Sequence, residues 1–487
     1  MGFLSRFVPL LGSALRSGRA TVKRMTPLII IYGSTGTGKS DLAVELATRY
    51  NGEIINADAM QLYKGLPIIT NKLTTQEQRG VPHHLLGSIE LGEDPWVVTQ
   101  FKKEATKMIS EIRGRGKLPI VVGGTSYYLD GLLFEGRVVD NQPALEGGAS
   151  NRDELAAKHP ILTDTPEAML AKLREVDPVM ADKWHPNDAR KIRTSLEIYF
   201  ATGRRASDIY AEQRSKKESK WASESRARDH DLGEILLFWL YAQREVLNER
   251  LDKRVDRMVQ NGLLRETAEV YDYLRQRLAA GETVDRSKGI WQSIGFRQFE
   301  PYLTAERETP DSPGLDKLKL AGIEDTKSAT RQYAKYQVRW MTMKTISSLQ
   351  EEKLLDRLYL LDSSDIQRWN AEVLDKGVEL TRQFLAREPL PPATGMSEMA
   401  REVLAGTVER SNRQDTPCRK TCEVCKKTLL TEELWQAHVT SRKHLKVVRA
   451  AKKRQLIPAH AVPSRALVAA TPVCAVPEDT APTINHL

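Results

Sequence analysis

The segment Gly33-Ser34-Thr35-Gly36-Thr37-Gly38-Lys39-Ser40 has the G-x-x-x-x-G-K-[ST] spacing of a phosphate loop. Its glycines let backbone amides converge on phosphate oxygens, and a helix starting near Lys39 turns its positive end to the same place. Lys39 adds a full charge, and the Ser40 hydroxyl can ligand magnesium. A second group follows in "INADAMQLY", where Asp58, Gln61 and Tyr63 stand at one strand end. An acid, an amide and a ring so placed can bind a base and take its proton; a turn-capping aspartate is the plainer reading. A third group is Cys422-x2-Cys425-x12-His438-x5-His444, four zinc ligands at finger spacing. Such a unit is too small to fold without its metal, and Leu434 and Trp435 are the residues expected to fill it. Cys418 and Cys474 fall outside the pattern and read as free thiols. His83 and His84 have no cysteine or carboxylate at ligand spacing, so packing or hydrogen bonding is expected of them.

These groups need elements to position them. The apolar run 28–32 reads as a buried strand, 41–50 as the helix after the loop, and 53–56 and 118–124 as further short strands. The stretch 95–113 has helical spacing. Such alternation predicts an α/β fold, a parallel sheet flanked by helices, with ligands at the carboxyl ends of its strands. Gly33, Asp58 and the turn 123–125 all fall there. Residues 137–163 read as a polar loop, 166–210 as a small helical insertion, and 212–231 as a charged connection. A strand at 235–241 is followed by long helices at 245–278 and 325–354. The segment 387–412 reads as a linker.

The chain has 487 residues, with 73 Lys and Arg against 64 Asp and Glu, a net charge of +9. This balance favours an anionic partner, nucleic acid or phosphate. The 4 cysteines all lie between Cys418 and Cys474, which argues for a metal site or a reducing compartment rather than a disulfide framework. No apolar run approaches the ~18 residues of a membrane span, so no membrane insertion is expected. Residues 1–25 carry Arg6, Arg16, Arg19, Lys23 and Arg24 among Leu, Phe, Val and Ser, with no acid. That is the composition of a mitochondrial presequence. A second start at Met25 would give a cytosolic form, and Lys452-Lys453-Arg454 leaves a nuclear address open.

In this order, "GSTGTGKS", "DAMQLYKGLPIITNK", "VPHHLLG", "VVGGTSYYLDGLL", "VDPVMADKWHPNDARKIRTSLEIY", "LNERLDKRVDRMVQNGLLRE", "SIGFRQF" and "TRQYAKYQVRW" are similar to the eukaryotic tRNA dimethylallyltransferases (tRNA isopentenyltransferases), over residues 27–343. The carboxyl-terminal finger agrees with the eukaryotic branch. The resemblance implies transfer of a dimethylallyl group from dimethylallyl diphosphate to N6 of adenosine-37, beside the anticodon of tRNA. Gly33, Thr35, Gly36, Thr37, Gly38, Lys39 and Ser40 would then hold the diphosphate, with Ser40 on catalytic magnesium. Arg254 would stabilise the leaving group, and Asp58 would orient the amine and accept its proton. Thr125 would line a channel near the reacting atoms. Asp58, Ala59, Met60 and Gln61 would meet a base flipped out of the anticodon stem-loop. The stretch Arg190, Lys191, Ile192, Arg193 and Thr194 matches a tRNA-contact segment of the family. Arg331 and Lys335, with Arg339, form a basic stripe on a helix suited to phosphate backbone. Many relatives have serine after the aspartate and proline after the first loop glycine; here Ala59 and Ser34 stand there, and neither change removes a charge.

The implied organisation is a presequence at 1–25 and a catalytic core at 26–136 and 232–400. A tRNA-binding helical insertion occupies 137–231, a linker 401–416, a matrin- or U1-type zinc finger 417–447, and a disordered tail 448–487. A monomer is expected. The competing reading is a phosphate-loop nucleotide kinase or ATPase with an RNA-binding finger. It is weakened because no strand of four apolar residues followed by aspartate supplies a second magnesium ligand. A non-enzymatic RNA-binding protein is disfavoured by the intact Lys39, Ser40 and Asp58.

Overall fold

The computed structural model describes residues 26–134, 154–212, 215, 232–412, 416–425 and 427–455. The expected presequence lies outside these residues, as does most of the polar loop and of the charged connection.

Six strands form one parallel sheet in the order β3-β2-β4-β1-β5-β6. They are β1 (Pro27–Gly33), β2 (Gly52–Asn56), β3 (His83–His84), β4 (Leu118–Val122), β5 (Glu234–Tyr241) and β6 (Leu358–Asp362). β1 and β5 are continuous apolar runs because both faces of a central parallel strand are covered. Leu28, Ile30 and Tyr32 face one core, and Ile29 and Ile31 the other. Helix α1 (Lys39–Arg49) follows the glycine-rich loop directly. Helices α2 (Val98–Gly114) and α3 (Ser126–Leu133) flank the sheet on the face of Leu28 and Ile30. The α/β reading therefore holds, but β3 and β6 were not foreseen: one is two residues long, and the other sits inside a helix-rich half.

The insertion is helical as expected. It comprises α4 (Pro166–Val176), α5 (Pro178–Lys183) and α6 (Ala189–Thr202), which close around their own core of Leu162, Leu170, Leu173, Ile192 and Leu196. The single helix expected over 245–278 is two, α7 (Arg244–Gln260) and α8 (Leu263–Ala279). Gly262, with φ 106° in the left-handed region, breaks it. After α9 (Phe296–Glu308) comes α10 (Leu315–Trp340). A wide turn at Met341–Thr345 leads on into α11 (Ile346–Glu351).

Beyond β6 and α12 (Asp375–Ala386), the linker expectation fails. Residues Glu398–Asn412 form helix α13, whose Ala400 and Leu404 are buried in the main core. An apolar pair four residues apart is enough to dock one helical face. The finger consists of β7 (Pro417–Cys422), β8 (Lys427–Thr431), α14 (Glu432–Thr440) and α15 (Arg442–Gln455). The last helix carries order past 447, into what reads as tail from sequence; 456–487 lies outside the described residues.

Candidate active site

A cavity of about 360 Å³ opens at the carboxyl ends of β1, β2 and β4. Its walls include Thr35, Gly36, Gly38, Lys39 and Ser40 from the loop, Asp58 and Gln61 beyond β2, and Arg254 from α7. The two groups read separately in the sequence thus face one space. Gly33 and the Thr37 side chain stand outside this wall. Thr37 is buried and its hydroxyl donates to the Ser34 carbonyl at 2.9 Å, so it shapes the loop from behind. Lys39 Nζ donates to the same carbonyl at 2.8 Å. The Thr35 amide, expected to face phosphate, donates instead to Gln337 Oε1 at 2.8 Å.

Asp58 is held by its own turn. Asn56 Oδ1 accepts its amide at 3.1 Å, and Asn56 Nδ2 donates to its carbonyl at 3.1 Å. The amides of Met60 and Gln61 both serve the carboxylate. One side of that carboxylate is therefore spent on an Asx-type turn, as the plainer reading supposed, while the residue still lines the cavity. Gln61 Nε2 donates to the carbonyls of Thr70 and Asn71, tying the following loop back on itself. Ala59 is buried in the main core, so only its backbone can meet a ligand. Thr125 is half-buried and follows the wall residues Gly123 and Gly124. Its hydroxyl accepts the Ala59 amide at 3.0 Å and so braces the aspartate turn.

Lys39, Asp58 and Arg254 influence one another across the cavity. Burial raises the Asp58 pKa, and Lys39 and Arg254 pull it back. Burial lowers Lys39 to about 8, against the attraction of Asp58. Burial likewise brings Arg254 down to about 10, and its Nε is enclosed without a partner. Two desolvated cations and one desolvated carboxylate are suited to a dianion at one end and a proton acceptor at the other. Arg250, one turn before Arg254, is spent on structure: it donates to the carbonyls of Gly36, Ser363 and Ser364.

Sequence reasoning missed Gln337 and Tyr333. Both lie in "TRQYAKYQVRW", four residues apart on α10, between the members of the basic stripe. The Gln337 amide also donates to the Gly124 carbonyl at 2.8 Å, and Tyr333 lies beside Thr125 and Gln337. A polar pair at helical spacing within an otherwise packed face was the available signal. Also missed was Glu266, buried on α8, whose carboxylate accepts the amides of Ile68 and Ile69 and anchors the loop beyond Gln61.

The expected RNA contacts divide. Arg190 and Lys191 are exposed on α6, but Ile192 is buried in the insertion core, so its side chain cannot reach RNA. Arg193 pairs with Glu197, and Thr194 is half-buried. Arg331 is tied to Asp252, whereas Lys335 is exposed. His83 Nδ1 bonds the Val81 carbonyl, as a hydrogen-bonding role would have it. His84 does have a carboxylate partner, Glu53, from the neighbouring strand.

In the finger, the donor atoms of Cys422, Cys425, His438 and His444 lie within 4.8 Å of one another. His444 Nδ1 is 3.7 Å from Cys422 Sγ and 3.4 Å from Cys425 Sγ, and His438 Nε2 is enclosed without a partner. Two thiols and two imidazoles so gathered fit tetrahedral zinc. Leu434 is 51% exposed, against the expectation that it fills this unit. Cys418 is a free thiol, and Cys474 lies outside the described residues. The finger rests on the insertion: His185 Nε2 meets the Thr428 carbonyl at 2.9 Å, and Arg419 pairs with Asp182 at 3.5 Å.

A parallel sheet whose carboxyl edge places a cationic cradle and the buried carboxylate of Asp58 around one cavity defines an α/β group-transfer enzyme. The comparisons give the family. Residues 61–344 match the IPP transferase family, 26–91 the isopentenyl transferases, and 419–445 the zinc-finger double-stranded RNA-binding family. The tRNA dimethylallyltransferase of Schizosaccharomyces pombe is 37% identical, covering 88% of this chain and 96% of its own. The human tRNA dimethylallyltransferase is 34% identical, covering 93% and 91%. A solved structure of a eukaryotic dimethylallyltransferase acting on tRNA is 33% identical with a TM-score of 0.70, covering 88% of this chain and 98% of that one. This chain belongs to the IPP transferase family.

Proposed function

We propose that this enzyme transfers a dimethylallyl group from dimethylallyl diphosphate to N6 of the adenosine beside the anticodon of tRNA. The observation that carries the reading is the shared cavity, lined by Lys39, Arg254 and Asp58, which act on one another electrostatically. The exocyclic amine of adenine is a poor nucleophile, so the site must act on both reactants. Lys39, Arg254 and the amides at the start of α1 stabilise charge growing on the diphosphate as its bond to the allylic carbon breaks. N6 forms the new bond to that carbon, and its proton passes to Asp58. The free side of Asp58 faces the cavity where a flipped adenine would enter, and Gln61 borders the same opening. Enclosure keeps water from the cation-like carbon.

Magnesium fits the donor set. Ser40 supplies a hydroxyl at the helix start, and among the described residues the carboxylates lining the cavity are Asp41, Asp58 and Glu77. All are hard oxygen ligands, and the diphosphate itself would complete the shell. When bound, the ion would neutralise diphosphate charge. Zinc at Cys422, Cys425, His438 and His444 would hold the finger, and the exposed Arg190, Lys191 and Lys335 would meet RNA phosphates. The basic segment 1–25 would address one form to mitochondria, with a start at Met25 leaving a second in the cytosol; amino-terminal sequencing of both pools tests this.

The kinase alternative is not favoured. β4 ends in Gly123-Gly124, with no acid where a second magnesium ligand would stand. The deciding experiment incubates the chain with labelled dimethylallyl diphosphate and unmodified tRNA, with and without ATP. Label in tRNA without ATP consumption is the expected result; phosphate transfer from ATP without prenylation would overturn it.

A further inference from the structure

Donor and acceptor sit on different parts of the fold. The cradle follows β1, and Asp58 follows β2. Between them, at the end of β4, lies the Gly124-Thr125 turn. One side chain bridges the divide. Gln337 Oε1 accepts the Thr35 amide and its Nε2 donates to the Gly124 carbonyl, each at 2.8 Å. One partner is a donor and the other an acceptor, so the amide has a single satisfactory orientation. Gln337 is 4% exposed. A Cβ on Gly124 would stand 2.4 Å from its Nε2, so the close approach needs glycine there. Tyr333, one turn earlier, places its ring beside Gln337 and Thr125, and Thr125 in turn holds the Ala59 amide next to Asp58 at 3.0 Å. The result is a run of contacts from the cradle to the aspartate turn: two hydrogen bonds at Gln337, the Tyr333 ring, and one at Thr125.

We propose that Gln337 and Tyr333 are positioning residues that set the spacing between the leaving group and the acceptor amine. This rests on the transfer reaction proposed above. Gln337 borders the cavity, but its amide oxygen and nitrogen are both engaged by backbone: it fixes the cradle against the β4 turn, and Tyr333, packed beside Gln337 and Thr125, holds that turn toward Asp58. Bond formation is sensitive to such spacing, since displacement by about 1 Å can cost 10²-fold in rate. Loosened spacing also lets water compete for the allylic carbon. Water oxygen then bonds to that carbon as the carbon–diphosphate bond breaks, a proton goes to solvent, and the products are an alcohol and diphosphate.

The test compares wild type, Gln337→Met, Gln337→Glu and Tyr333→Phe in the full-length chain. It measures prenyl label in tRNA, diphosphate released, KM for each substrate and thermal midpoint. Gln337→Met keeps the volume and removes both bonds; Gln337→Glu keeps the acceptor to Thr35 and loses the donor to Gly124. Tyr333→Phe removes one hydroxyl and is the variant expected to keep its fold. The expected result is kcat down by about tenfold to 10²-fold with KM changed little, and more diphosphate released per prenyl group transferred in every variant. Gln337→Glu should fall between wild type and Gln337→Met. If wild type transfers label while folded Tyr333→Phe and Gln337→Met keep its kcat and its ratio of release to transfer, the positioning role is overturned. If wild type transfers no label, it is the reaction itself that fails.

Discussion

Arg250 and Arg254 lie one turn apart on the same helix, and the fold divides their work. Both line the cavity, but Arg250 is bonded to the carbonyls of Gly36, Ser363 and Ser364, while Arg254 lies close enough to Asp58 for each to shift the other's titration. Arg254→Gln should therefore lower kcat by about 10²–10³-fold, the scale of losing one transition-state donor, with thermal stability nearly kept. Arg250→Gln should lower the thermal midpoint first. Calorimetry beside single-turnover kinetics separates the two, and equal effects would refute the division.

Asp58→Asn retains the shape of the turn and removes the proton acceptor. A loss of about 10²–10⁴-fold in transfer is expected, with diphosphate binding preserved. Because burial raises the Asp58 pKa, the wild-type acid limb should lie above the ordinary carboxylate range. Activity is then lost as pH falls through it. A pH–rate profile of wild type checks the limb; near-normal transfer by the variant would remove Asp58 from the mechanism.

Lys39 should set the alkaline limb. With its pKa brought down to about 8 by burial, it loses its charge as pH rises through that value, and capture of the donor weakens. The decline belongs in kcat/KM for the diphosphate substrate. It should be nearly absent from kcat, since a bound dianion holds the ammonium in its charged form. Steady-state kinetics between pH 7 and 9.5, roughly a unit either side, reads both.

Glu53 ties the sheet edge together. It is buried and accepts from Arg115, Lys117 and His84. Arg115, then His84 and Lys117, hold its carboxyl down at about 2, below its ordinary 4.5. A depressed carboxylate stabilises the fold fully above its unfolded pKa, and that contribution disappears as pH falls from 4.5 to about 2. Glu53→Gln should cost about 1–2 kcal/mol at neutral pH and flatten this acid dependence. Denaturant melts at pH 7 and pH 3.5, about midway through the window, measure both effects.

Chelation should unfold the finger and spare the rest. The four ligands surround one point, while exposed Leu434 shows how little apolar core stands behind them. Loss of the finger's protection in hydrogen exchange is expected, with the main thermal transition unmoved. Since the finger rests on the insertion through His185 and Arg419, protection around residues 178–185 should fall with it.

The sequence alone determined whatever depends on local spacing. The loop 33–40 reads as an anion cradle because its glycines, lysine and following helix are contiguous. The finger reads as a metal site because its ligand intervals are short. β1 and β5 declare themselves as continuous apolar runs, and the insertion as amphipathic helices. Tertiary structure decided what each polar group is free to do. It tied Arg250 to three backbone carbonyls, set Arg254 beside Asp58, put the Thr125 hydroxyl on the Ala59 amide, and buried Thr37 and Ile192. It also joined Thr35 to Gln337 across a separation of 302 residues, and docked α13 where the pattern read as linker. Hydrogen-bond partners distant in the chain leave no periodic trace, because a buried donor is satisfied by any acceptor the fold delivers to it.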